Sequence, residues 1–215
     1  MPVEVKICGL STPETVEGSI EAGADYIGLN FFPTSPRYVP LDRAAELAAI
    51  ARGRVKIVAL VVDAPDSLLQ EIVAKVDPDF IQAHGDEDPD RVAEIGRLTG
   101  KPVIKAIRVR DASDIAAAAD FASVASLILY DSKAPETLTN ALPGGNGHAF
   151  DWQLLGSGGR PAFMLAGGLT RENVAEAIRV TGAPVVDLSS GVESSPGVKD
   201  IGLIRKFIEA AKAAR

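Results

Sequence analysis

The chain has 215 residues, 47% of them hydrophobic, enough to bury one sizeable core at a length common for a single α/β barrel. Its formal charge of −7 argues against a nucleic-acid partner, which selects for a basic face, yet permits a small phosphate held by backbone N–H groups. One cysteine excludes an internal disulfide framework and fits a reducing compartment. No secretory leader pattern opens the chain, and apolar runs such as 57–62 are too short to span a bilayer, so a cytoplasmic protein with no membrane partner is expected.

In chain order, one unit recurs: a short apolar run, a polar turn, then an amphipathic stretch. Strands are predicted over Val3–Ile7, Tyr26–Phe31, Lys56–Val61, Phe80–Ala83, Val103–Ile107, Leu127–Tyr130, Ala162–Leu165 and Pro184–Leu188. Helical spacing falls between most of them, as in Leu41, Ala44, Ala45, Ala48 and in Leu68, Leu69, Ile72, Val73, Val76. Thr12-Pro13 and Asp88-Pro89 read as an N-cap with proline opening the helix; Asp66, Asp111 and Thr170 are further cap candidates. Ile201, Ile204, Ile208 and Ala211 mark a closing helix. Residues 131–148 are the least regular, and the sixth helix is short at best, near 150–155.

Strands alternating with helices pair in parallel through βαβ units. Eight such units predict a single (β/α)8 TIM barrel over residues 1–215, with an open doubly wound sheet as the alternative. The first strand carries no glycine-rich dinucleotide fingerprint. A barrel gathers its chemistry at the C-terminal ends of its strands, and polar candidates fall there. Cys8 ends the first strand; by spacing alone it reads equally as a core thiol or a reactive one. Asn30 and Arg37 follow the second strand, Asp63 the third, Gln82 and His84 end the fourth, Arg108 follows the fifth, and Asp131 ends the sixth. Gly167-Gly168 after the seventh strand and Ser190-Gly191 after the eighth, beside Asp187, occupy the places where this fold recurrently binds phosphate. The long loop after the sixth strand reads equally as a surface loop or a lid.

These segments together resemble the phosphoribosylanthranilate isomerases of tryptophan biosynthesis along the whole chain. The resemblance is carried by Lys6-Ile7-Cys8-Gly9-Leu10, by the run 32–38 (FPTSPRY), and by Gln82-Ala83-His84-Gly85-Asp86-Glu87. It continues through Leu129-Tyr130-Asp131-Ser132-Lys133, the run 144–147 (GGNG) with Phe150-Asp151-Trp152, Leu165-Ala166-Gly167-Gly168-Leu169, and the run 187–193 (DLSSGVE). Three positions depart from the family pattern: Ala83 stands where leucine is usual, Asn146 where threonine is, and Asn30 where an apolar residue is commoner.

The resemblance implies an Amadori rearrangement of N-(5′-phosphoribosyl)anthranilate into an open-chain ketose amine. It implies Asp131 as the general acid that opens the ring and Cys8 as the general base at C2′. Opposite environments are required. A free aspartate titrates at roughly 3.9 and a free thiol near roughly 8.5, so Asp131 must retain a proton, and Lys6 or backbone dipoles are expected to favour the Cys8 thiolate. Arg37 is expected to fork onto the anthranilate carboxylate and Asp187 to orient the amine or a hydroxyl; the phosphate is expected at Gly167, Gly168, Ser190 and Gly191. No cofactor and no metal are expected, and His84 is given no catalytic role. The partner is a small-molecule substrate, and the chain a monomer or a homodimer. A sister isomerase of the histidine pathway uses aspartates in both roles, so Cys8 argues against it. A non-catalytic sugar-phosphate binder needs neither Cys8 nor Asp131.

Overall fold

Eight parallel strands close on one another in chain order, β1-β2-β3-β4-β5-β6-β7-β8, with β8 hydrogen-bonded back to β1 through the Ile7–Leu188 register. The structure is a computed structural model and describes residues 2–133, 149–156 and 162–214. Its barrel strands are β1 (Glu4–Cys8), β2 (Tyr26–Asn30), β3 (Lys56–Val61), β4 (Phe80–Ala83), β5 (Val103–Val109), β6 (Leu127–Ser132), β7 (Phe163–Leu165) and β8 (Val185–Leu188). The helices around it are α1 (Pro13–Glu21), α2 (Leu41–Ala51), α3 (Asp66–Val76), α4 (Pro89–Thr99), α5 (Ala112–Ala116), α6 (Val174–Thr181) and α7 (Ile201–Lys212). Closure excludes the open-sheet alternative. The 144–147 run, Asn146 and His148 fall outside the described residues.

Side chains alternate along each strand, and the alternation divides the core in two. Val5 and Ile7 of β1, with Ile27, Leu29, Ile57 and Ile81, point outward into the shell between barrel and helices. Tyr26, Val58, Ile104, Leu129, Met164 and Val185 fill the lumen. The period-two pattern that made β1 legible therefore belongs to its outward face. Cys8 and Lys6 carry the opposite parity and face the lumen.

Local chemistry starts most helices where the sequence places them. Thr12 Oγ1 accepts from Thr15 N at 3.3 Å and Asp88 from Arg91 N at 2.8 Å, with Pro13 and Pro89 in the first turns. Asp111 and Asp114 form a reciprocal capping box on α5. Two cap assignments are corrected. Asp66 is the first residue of α3; Pro65 holds the cap position, which restricts the turn but offers no side-chain acceptor. Thr170 heads a turn instead of α6. The cap is Asn173, whose Oδ1 accepts from Thr170 N at 2.8 Å while its Nδ2 donates to Gly168 O at 3.0 Å. Between β6 and β7 the described residues form one 3₁₀ turn, Trp152–Leu154, with Trp152 packed on the outer core.

The hairpin that follows β8 was not anticipated. After β8 the chain makes a 3₁₀ turn (Ser190–Val192) and an antiparallel hairpin of β9 (Glu193–Ser195) and β10 (Val198–Lys199). Among the described residues no helix is long and apolar enough to cross a membrane.

Candidate active site

A pocket at the C-terminal mouth of the barrel is lined by Cys8, Asn30, Arg37, His84, Asp131 and Asp187, together with Gly167, Gly168, Ser189, Ser190 and Gly191. The lumen-facing parity explains the set. Cys8, Asn30, His84, Asp131, Asp187 and Ser189 each stand an even number of residues from a lumen residue of the same strand, so regular pleating aims them all at one space.

Cys8 is 5% exposed and sits against a buried ion pair, Lys6 Nζ to Asp187 Oδ1 at 2.9 Å. Gly28 on β2 makes room for this arrangement. A Cβ there would lie 2.8 Å from Cys8 Sγ and 3.2 Å from Lys6 Nζ. The expectation that the thiolate is favoured is corrected. Burial pushes the Cys8 thiol up from its ordinary value, and the Asp187 charge adds to this, while Lys6 and Lys199 pull the other way without prevailing. For Lys6 itself burial opposes the ammonium, but Asp187 and Cys8 outweigh it and raise its value.

The sign fixes a pH dependence. A base must be unprotonated, and a raised thiol value means the thiolate fraction grows only as pH rises past the ordinary thiol range. Hence, as long as the general acid keeps its proton, kcat/KM of this chain is expected to climb with pH through neutrality and beyond about 8.5. Lys6→Met removes the nearest stabilising charge and is expected to move that ascending limb further up. A profile already flat at neutral pH in the parent chain would contradict this environment for the base.

Asp131 is 4% exposed. Its Oδ1 accepts from Ser132 N at 2.8 Å, and its Oδ2 lies 3.3 Å from His84 Nε2. Asp131 and Cys8 thus enter one pocket from β6 and β1. Asn30 shapes the loop after β2: its Oδ1 accepts from Phe32 N at 2.8 Å and its Nδ2 donates to Ser35 Oγ at 3.2 Å. Ala83 points into the outer shell.

Arg37 lines the pocket, but its fork is already engaged. Nε donates to Glu193 Oε1 at 2.7 Å and Nη2 to Glu193 Oε2 at 3.0 Å. Lys199 Nζ joins the same carboxylate at 2.6 Å and donates to Ser189 O at 2.8 Å. Burial disfavours the Glu193 charge, yet Arg37 and Lys199 together hold its carboxyl below the usual range. Burial also lowers Lys199, which Glu193 only partly offsets. The hairpin is therefore a clamp between the loops after β2 and β8. Sequence reasoning missed Glu193 as a partner of Arg37, and Lys199 altogether; nothing in their spacing signals a pair that meets only through a two-residue strand.

Asp63 and Arg108 do not line the pocket. Asp63 adopts a left-handed φ of 46° and accepts from Asp86 N at 2.8 Å, and Arg108 pairs with Asp86 at the rim. Behind them Glu87 and Lys105 form a buried pair at 2.8 Å that also ties down Gly85.

Gly167 and Gly168 have φ of 88° and 60°, a region that only glycine enters readily. At Gly191 a Cβ would collide with the carbonyl oxygen of Leu169, so these two loops pack backbone to backbone. The N–H groups of Gly167, Gly168, Ser190 and Gly191 meet no acceptor among the described residues. A thiol and a carboxyl lining one pocket at the mouth of a (β/α)8 barrel, with two loops of unpaired N–H groups beside them, are the makings of an acid–base enzyme with an anion site.

Comparison with known proteins narrows this class. Residues 5–210 match the family model described as N-(5′-phosphoribosyl)anthranilate (PRA) isomerase, and the chain belongs to that family. An N-(5′-phosphoribosyl)anthranilate isomerase of Rhodopseudomonas palustris (strain BisA53) is 54% identical, covering 99% of this chain and 97% of its own. The phosphoribosyl anthranilate isomerase structure from Thermotoga maritima superposes with a TM-score of 0.88 at 35% identity, covering 98% of this chain and 99% of that one. A further isomerase structure, at TM-score 0.84 and 31% identity over 98% of this chain and 99% of that one, is a complex with reduced 1-(o-carboxyphenylamino)-1-deoxyribulose 5-phosphate.

Proposed function

We propose that this chain carries out the aldose–ketose isomerisation of its family with Cys8 as general base and Asp131 as general acid. The observation that carries the assignment is their convergence: two buried groups of suitable chemistry, from β1 and β6, lining one pocket beside the N–H nest. Asp131 gives its proton to the furanose ring oxygen, the C1′–O bond breaks, and the amine lone pair forms the Schiff base. Cys8 thiolate takes the proton from C2′. That electron pair forms C1′=C2′, and the C=N pair returns to nitrogen. The enolamine then moves a proton from its 2′-hydroxyl to C1′ through solvent and becomes the ketone. No electron leaves or enters.

Asp187 stays paired with Lys6 in this reading and turns its second oxygen to the substrate amine or a hydroxyl. Arg37, with Nε and Nη2 fixed by Glu193, offers the other edge of its guanidinium to the anthranilate carboxylate. The phosphate binds Gly167, Gly168, Ser190 and Gly191. Lys199, bonded to Ser189 beneath the same loops, adds a positive charge there. Residues 1–215 act as one domain. One chain lines the whole pocket, which suits a monomer or a homodimer alike, and the lone buried thiol suits the cytoplasm.

Diffraction from crystals grown with the reduced product analogue tests the arrangement. The phosphate is expected between the loops after β7 and β8 with backbone N–H groups as its main donors. Gly191→Val, which pushes those loops apart, is expected to raise KM about tenfold or more with a smaller effect on kcat. A phosphate found against Arg37 instead reverses the ligand and removes the roles given to Arg37 and to both loops.

A further inference from the structure

We propose that His84 is a further catalytic residue, a neutral imidazole set by Gln82 whose Nε2–H donates to the substrate's 2′-oxygen. The proposal rests on the acid–base reading of Asp131 and Cys8. Gln82 and His84 stand two residues apart at the end of β4, so both face the lumen, and both are buried. Gln82 Nε2 lies 2.7 Å from His84 Nδ1. With the Gln82 amide in this orientation its nitrogen donates and Nδ1 accepts, so a neutral ring carries its hydrogen on Nε2, while Gln82 Oε1 is itself left without a partner.

That hydrogen has no acceptor among the described residues. Nε2 is buried and makes no hydrogen bond; Asp131 Oδ2, at 3.3 Å, is near but off its line. Buried donors in native proteins are almost always satisfied, and this one borders the pocket. A substrate oxygen is the missing acceptor. In the rearrangement the 2′-oxygen passes from hydroxyl through enol to carbonyl, and a fixed N–H beside it stabilises the negative charge that develops as its proton leaves. The ring keeps its own proton throughout, as a neutral electrophilic imidazole does elsewhere.

The charged and titratable groups around it are accounted for. Cys8, Arg37, Asp131 and Asp187 line the same pocket. Lys6 is held by Asp187, Lys105 by Glu87, and Arg108 by Asp86, whose N–H is bound by Asp63. Of these only Asp131 approaches Nε2.

Imidazole ¹⁵N spectra of the whole chain test the proposal directly, since it holds only two histidines, His84 and His148. His84 is expected as the Nε2–H tautomer, with its N–H proton moving downfield when the reduced product analogue binds. His84→Leu is expected to lower kcat about 10–100-fold with KM within about threefold. Gln82→Glu, whose carboxylate accepts from Nδ1, is expected to add a new titration to the kcat profile. An Nδ1–H tautomer, an imidazolium at neutral pH, or a His84→Leu enzyme within about twofold of the parent overturns the role. Parallel assays of Cys8→Ala and Asp131→Asn separate the two readings. If those variants are inactive and His84 fails its tests, only the His84 role falls; if they retain turnover, the acid–base assignment falls first.

Discussion

Cys8→Ala is expected to lower kcat by about 10²–10⁴-fold while KM stays within a few-fold. The loss corresponds to roughly 3–6 kcal/mol of transition-state stabilisation, at about 1.4 kcal/mol for each factor of ten. The split between kcat and KM is the informative part. Cys8 lies on the lumen face beside a buried ion pair and lines the pocket. A packing thiol of this size would lose stability on truncation and leave the chemistry nearly intact. Cys8→Ser sharpens the test: a serine hydroxyl fits the space left by Gly28 but ionises far less readily, so it is expected to resemble Ala. Near-parental turnover in either variant returns Cys8 to a structural role.

The second large effect is at Asp131. Asp131→Asn keeps the shape and the bond from Ser132 N but has no acidic proton for the ring oxygen. Turnover is expected to fall to near the background, with kcat falling far more than KM rises. A loss mainly in KM would make Asp131 a binding residue. Asp187, one oxygen of which already accepts from Lys6, is then the first alternative for the acid.

The barrel was legible because its strands are short apolar runs spaced by helical stretches. The strand ends were placed to within a residue or two, and the glycine and serine loops fell where this fold binds anions. What stayed hidden depends on long-range meeting. Nothing near Arg37 in the chain announces that Glu193, 156 residues on, occupies its fork. Nothing local shows that burial outweighs Lys6 at Cys8, because the balance is set by how deep the first strand's lumen face lies. The Thr170 and Asp66 caps failed for a different reason. Both residue types suit an N-cap, but Asn173 and Pro65 sit at the point where the backbone turns helical. His84 was given no catalytic role because it read equally as a hydrogen-bonded structural residue or a pocket residue; its 2.7 Å contact with Gln82 is visible only in the folded strand end.

The most direct test of the acid–base assignment is turnover of N-(5′-phosphoribosyl)anthranilate by the purified chain, with the ketose amine product measured for the parent, Cys8→Ala and Asp131→Asn side by side. The expected result is rapid conversion by the parent, with both variants lowered by at least about 10²-fold in kcat while still binding the reduced product analogue as tightly as the parent. Conversion by either variant at a rate close to the parent's would contradict the assignment of base and acid to these two residues.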